Sequence, residues 1–194
     1  MIYKKPKYDI KYVPKAKDLK VAVLSYYRFG KQSICIDEFN GADVIVDTGT
    51  EIIEVEIKVT KSDLINGEKA KASKHKLYAS GHGYQWCRPN KYLFCVPTEL
   101  VQEAADWAAE LNPKYGVLSF DTQGFLNRLN RGVSLRAGDL IYTHKRPSRL
   151  HDGYPEKLRW LIAKRASSKV ITLLEKNQDA RFKKLKETPA KDLI

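Results

Sequence analysis

The chain lacks most of the signatures that declare a chemistry outright. It has no GxxxxGK[ST] loop to cradle a nucleotide phosphate and no GxGxxG turn for a dinucleotide. It has no HExxH helix and no nucleophile elbow, and its four histidines, His75, His82, His144 and His151, are scattered. Its three cysteines, Cys35, Cys87 and Cys95, have no CxxC spacing, which excludes a paired-cysteine zinc site and argues against a disulfide framework. No apolar run is long enough to span a bilayer. Met1 to Tyr12 lacks the apolar stretch of a signal peptide, so none is expected.

One local absence is more informative. Between Lys31 and Lys58 there is no lysine or arginine, yet seven acids fall there: Asp37, Glu38, Asp43, Asp47, Glu51, Glu54 and Glu56. The whole chain is the opposite, with 35 Lys and Arg against 23 Asp and Glu and a net charge of +12. A basic surface suits a polyanion, and an acidic enclave within it suits a divalent cation held next to that polyanion.

The enclave centres on Gly41 to Lys61, GADVIVDTGTEIIEVEIKVTK. Val44 to Val46 and Ile52 to Val59 are rich in β-branched residues, and Asp47-Thr48-Gly49-Thr50 between them is turn chemistry, so a β-hairpin is expected. Side chains alternate along a strand, which puts Glu54, Glu56 and Lys58 on one face and Ile53, Val55, Ile57 and Val59 on the core face. Asp43 lies opposite either Glu54 or Glu56, depending on the turn. Like charges opposed across strands repel, so three converging acids call for a compensating cation. Hard oxygen donors suit Mg²⁺ or Mn²⁺.

Around the hairpin the chain alternates. Pro14 to Phe29 has helical spacing (Leu19, Ala22, Val23, Tyr26), and Ser33 to Phe39 reads as a strand. Thr60 or Ser62 caps a segment reaching about Ala79, broken at Asn66-Gly67. Lys91 to Val96, ended by Pro97, reads as a central strand, and Thr98 opens an amphipathic helix to Leu111. Gly116 to Phe120 and Phe125 to Leu129 flank Asp121 to Gly124 as an expected second hairpin. Pro155 to about Lys176 reads as a long helix carrying Leu158, Leu161, Ile162, Val170, Leu173 and Leu174, with a polar tail from Asn177. Lys58 to Lys91 holds eight Lys and Arg and two acids. Its Lys61, Lys69, Lys71, Lys74, His75 and Lys76 are candidate contacts to a nucleic-acid backbone.

This order, with Asp43 opening the second strand and Glu56-Ile57-Lys58 in the third, resembles the PD-(D/E)XK nuclease superfamily. More closely, GADVIV, VEIKVTKSDL, Tyr78 and KYLFCVP resemble the MmcB-like DNA repair nucleases. The likeness covers about residues 14 to 97; Ala42 stands where the wider motif has proline, and Glu54 is an extra acid. The resemblance implies an α+β fold: a restriction-endonuclease-like αβββαβ core with a mixed central sheet flanked by helices. A C-terminal β-hairpin and a long helix would follow. The expected divisions are a basic arm at 1–13, a nuclease-like core at 14–140 and a basic helical extension at 141–194.

The resemblance further implies that Asp43 and Glu56 bind Mg²⁺, for which Mn²⁺ can substitute, helped by the backbone carbonyl of Ile57. Lys58 would position or activate the attacking water or stabilise charge on the phosphate. Glu54 is a second ligand, part of a second-metal site, or a solvated neighbour. The expected activity is Mg²⁺-dependent hydrolysis of DNA in repair, recombination or phage DNA processing. The expected setting is a bacterial or phage-infected cytoplasm, without a membrane partner. A homodimer is an option, because junction-cutting relatives of this fold act as dimers. The competing expectations are a catalytically silent module that binds DNA or protein, and a basic structural protein whose acidic hairpin is incidental.

Overall fold

The structure is a computed structural model that describes residues 12–80, 88–132, 137–153 and 155–187, with 181–187 as helical backbone only. Residues 1–11 of the expected arm, and the 81–87 loop with His82 and Cys87, lie outside the described residues.

Helix α1, Ala16–Ser25, starts where the Asp18 carboxylate accepts the Lys15 backbone N–H at 2.8 Å, half of a capping box. It runs into a single π turn, Tyr26–Gly30. Strand β1, Ile34–Phe39, turns through Asn40 and Gly41, both at positive φ (52° and 77°), into β2, Ala42–Asp47. That is the backbone a two-residue hairpin turn with matching twist requires. Four residues, Thr48 to Glu51, then lead to β3, Ile52–Ile57, with Gly49 at φ 93° accommodated by its N–H bonding to Asp47 Oδ1 at 2.8 Å.

A π turn at Asp63–Gly67 and helix α2, Ala72–Ala79, lead to β4, Lys91–Pro97. As expected, Thr60 caps the turn, its Oγ1 accepting the Asp63 N–H at 3.1 Å. Helix α3, Val101–Leu111, leads to β5, Gly116–Phe120. Thr98 does not cap it, because its hydroxyl instead donates to the Phe120 carbonyl at 2.8 Å.

The six strands lie in sequence order. β1, β2 and β3 form an antiparallel meander; β3, β4 and β5 are parallel; β6, Ile141–Lys145, returns antiparallel to β5. Helices cover both faces. The expected α+β architecture, with helix, three strands, helix and strand in that order over 16–97, is present.

One face packs Val44, Val46, Ile53, Val55, Ile57, Leu93 and Cys95 against α1. The other carries two separate apolar clusters. Tyr92, Phe94 and Val96 pack with α3, and Ile36, Ile45 and Ile52 pack with Leu158 and Ile162 of helix α5, Glu156–Glu187. The polar residues of β3 fill the seam between them.

Three expectations are corrected. Phe125 to Leu129 is not a strand. Helix α4, Thr122–Arg131, occupies it, with the Asp121 side chain accepting the Gly124 N–H at 2.8 Å and Gly132 closing the end at φ 61°. The Asp-x-x-Gly that reads as a hairpin turn is an N-cap, and Phe125 and Leu129 meet the core at helical spacing. Removing that cap in Asp121→Ala lowers stability by about 1 kcal/mol in urea unfolding, and an unchanged midpoint would show the cap to be idle.

Residue 140 is not a boundary, since β6 completes the sheet directly after it. The long helix continues past Asn177 but leaves the domain. Only Leu158 and Ile162 of its expected apolar residues are buried, and residues 170–180 are exposed throughout.

Candidate active site

The register decides the geometry. Ile45 pairs with Glu54 and Val44 with Val55, so the next pair in the ladder sets Asp43 opposite Glu56. The Asp43 carboxylate accepts the Ile57 backbone N–H at 2.8 Å and has Lys20 Nζ 3.7 Å away. A strand residue directs its N–H and C=O to the same side, so the Ile57 carbonyl faces this edge too.

The glutamates are not solvated. Glu54, Glu56 and Lys58 are 4%, 3% and 4% exposed, beneath α2. The helix presents them with a polar stripe. Lys71, Lys74, His75 and Tyr78 follow at helical spacing and all turn inward. Lys71 pairs with Glu56 Oε1, and Lys74 pairs with Glu54 Oε1 and lies 3.5 Å from Glu56 Oε2. Tyr78 donates to Glu54 Oε2 at 2.8 Å.

Behind them lies Glu68, fully buried and absent from the expected site. Lys58 Nζ contacts its Oε1 at 2.8 Å. Its Oε2 meets His75 Nε2 at 2.9 Å and accepts the Tyr92 hydroxyl at 3.1 Å. His75 Nδ1 is 2.9 Å from the Tyr115 hydroxyl. The signal for this ring of groups was Lys71-x-x-Lys74-His75-x-x-Tyr78 at helical spacing beside Glu-x-Glu-x-Lys at strand spacing.

The electrostatics follow from this packing. Burial pushes the Glu68 carboxyl up, but the bonds from His75 and Lys58 outweigh it and hold it at about 2. Burial pulls Lys58 down, but its bond to Glu68 and the charges of Glu68, Glu56 and Asp63 win, raising it above the ordinary lysine value. Lys58 therefore stands as a fixed ammonium, 3.5 Å from Glu56. Burial raises Glu56 despite Lys71 and Lys74, and the Asp43 charge adds to the rise.

Of the expected metal donors, Asp43, Glu56 and the Ile57 carbonyl come to one edge, a hard oxygen set that suits Mg²⁺. Glu54 does not join them: it lies opposite Ile45 and is held by Lys74 and Tyr78. Among the described residues no three His, Cys, Asp or Glu side chains are placed to hold a metal ion. The compensating cations for the buried glutamates are lysines. Of the expected backbone contacts, Lys61, Lys69 and Lys76 are exposed, whereas Lys71 and Lys74 point inward. His75 is corrected: it is buried between Glu68 and Tyr115 and does not reach the surface.

The site therefore sits on an α+β scaffold, at the carboxyl end of the strand where a mixed sheet changes from antiparallel to parallel pairing. No family model matches the chain, and no curated protein matches it. A solved structure similar to it is the SPO1766 protein of unknown function from Silicibacter pomeroyi. The two share 17% identity over 84% of this chain and 94% of that one, with a TM-score of 0.57, a likeness of fold alone. No helix among the described residues is long and apolar enough to cross a membrane.

Proposed function

We propose that the chain is a Mg²⁺-dependent deoxyribonuclease of the PD-(D/E)XK type, acting on DNA in a cytoplasm, in repair, recombination or phage DNA processing. One observation carries the reading: Asp43 opposes Glu56 across β2 and β3, with Lys58 held as an ammonium two residues beyond. Asp43, Glu56 and the Ile57 carbonyl would hold the ion. When bound, a divalent ion acidifies water and polarises a phosphoryl oxygen. Lys58, already charged, has no lone pair with which to act as a base. Its role is to stabilise negative charge gathering on the phosphate as water adds and the P–O ester bond breaks. Exposed Lys61, Lys69 and Lys76 of the same segment would hold the backbone of the strand being cut.

A second reading draws on the lysines in the seam. Lys71 and Lys74 already neutralise Glu56 and Glu54, which favours a catalytically silent module that binds DNA or protein. Labelled single-stranded, duplex, flapped and branched DNA separate the two readings. The nuclease cuts at least one of them with Mg²⁺ or Mn²⁺ and none in EDTA. Binding without cutting under every condition supports the silent module.

A further inference from the structure

The buried seam is charge-balanced within itself. Three glutamates, Glu54, Glu56 and Glu68, face three lysines, Lys58, Lys71 and Lys74. Asp43, the other carboxylate the ion would use, has its own cation in Lys20, 3.7 Å away, so a divalent ion at Asp43 and Glu56 would bring two further positive charges to groups that are already balanced. Like charges in a partly desolvated site repel strongly, so one of the lysines has to leave. The three differ in freedom to do so. Lys58 is 4% exposed and fixed by Glu68, and Lys74 bridges Glu54 and Glu56 over the Tyr92 ring, 5.2 Å from its centroid. Lys71 is the most exposed of the three at 32%, sits at the start of α2, and holds the Glu56 carboxylate that the ion needs.

Building on the nuclease reading, we infer that Lys71 is a resident counter-cation. It occupies Glu56 in the metal-free protein, and a divalent ion must displace it. Once displaced, its ammonium lies at the mouth of the site, where a phosphate oxygen of the substrate is the available partner. Metal and DNA therefore bind cooperatively, each raising the affinity for the other by the same factor. The lysine keeps the site from holding the metal firmly until a polyanion arrives. This gives α2 a role in regulating metal occupancy, beyond lining a surface for DNA.

The test is direct Mn²⁺ titration of the full chain, read by loss of the free-ion electron paramagnetic resonance signal, with and without a short DNA duplex. In Lys71→Met, Mn²⁺ alone binds at least tenfold tighter than in the wild type, because nothing has to be displaced. Lys71→Arg keeps the charge and stays near wild type, and Lys164→Met, an exposed lysine on α5, is unchanged. The duplex raises wild-type Mn²⁺ affinity at least tenfold, and Lys71→Met loses most of that gain. Equal or weaker Mn²⁺ binding in Lys71→Met overturns the exchange and leaves the nuclease reading standing. No Mn²⁺ binding by either protein at saturating ion, with or without duplex, overturns both.

If Lys71→Met does not fold, hydrogen exchange in the wild type decides. Saturating Mg²⁺ releases the start of α2 and speeds exchange of its first amides. Unchanged exchange sinks the proposal.

Discussion

On the proposed nuclease reading, Asp43→Asn is expected to lower Mg²⁺-dependent cleavage about a thousandfold and to leave the protein folded. The size follows from the several kcal/mol, about 4, that a correctly held metal supplies in the transition state, at about 1.36 kcal/mol for each tenfold. The clean separation from folding follows from the surroundings of Asp43. Its side chain is 28% exposed, and its structural bond is the one from the Ile57 N–H. An asparagine oxygen accepts that bond equally well while the anionic ligand is lost. Lys58→Ala is the poorer test, because it also strands Glu68 as a buried anion, and lost activity then confounds chemistry with unfolding. Cleavage rates on the best substrate from the DNA panel, with thermal melts of both proteins alongside, check the expectation. An Asp43→Asn protein that cuts within tenfold of wild type removes Asp43 from the metal site.

What the sequence disclosed and what it concealed divide along physical lines. The hairpin was legible because two signals agree there. β-Branched runs with period-two alternation define the strands, and Gly41 and Gly49 stand where positive φ is needed. The register was not legible, since turn letters alone allowed Asp43 to face either Glu54 or Glu56. The Asx bond that the Gly49 N–H donates to the Asp47 carboxylate and the four-residue loop decide it.

The face of α2 misled for a different reason. Lysines at helical spacing usually look outward. Here Lys71 and Lys74 look inward because Glu54 and Glu56, on a central strand with no solvent on either side, cannot be buried unpaired. Only the neighbouring strand reveals that constraint, and the pairing of distant segments is not written in local propensity. Asp121 to Gly124 shows the same ambiguity on a smaller scale. An aspartate three residues before a glycine serves a turn or a helix start equally, and the burial of Phe125 and Leu129 against the core decides for the helix. Helix α5 was legible in period but not in burial. The stripe that docks Leu158 and Ile162 continues past the edge of the sheet, and sequence alone does not say where the sheet ends.

The largest stability effect falls on Glu68. Glu68→Ala leaves the Lys58 ammonium and the His75 ring buried without their acid, and removing one partner of a buried pair costs about 3–5 kcal/mol. Glu68→Gln keeps the shape and removes the charge, so its deficit depends on pH with a sign that can be worked out. The Glu68 carboxyl is held at about 2 against an ordinary 4.5, and a depressed carboxylate stabilises the fold above its unfolded value. That contribution, about 3 kcal/mol for a shift of this size, is complete above about pH 4.5 and drains away as pH falls towards 2. Glu56 pulls the other way, since its raised value favours the fold on acidification, but it is present in both proteins and cancels in the difference. Lys58, raised above the ordinary lysine value, loses its contribution only in strong alkali, outside this window. Urea unfolding of wild type and Glu68→Gln at pH 7, 5, 4 and 3 therefore gives a gap that is widest at neutrality and narrows through the acid points. A gap that stays constant with pH would mean that Glu68 acts by shape and hydrogen bonding alone. The charge that fixes Lys58 would then have to come from Glu56 and Asp63.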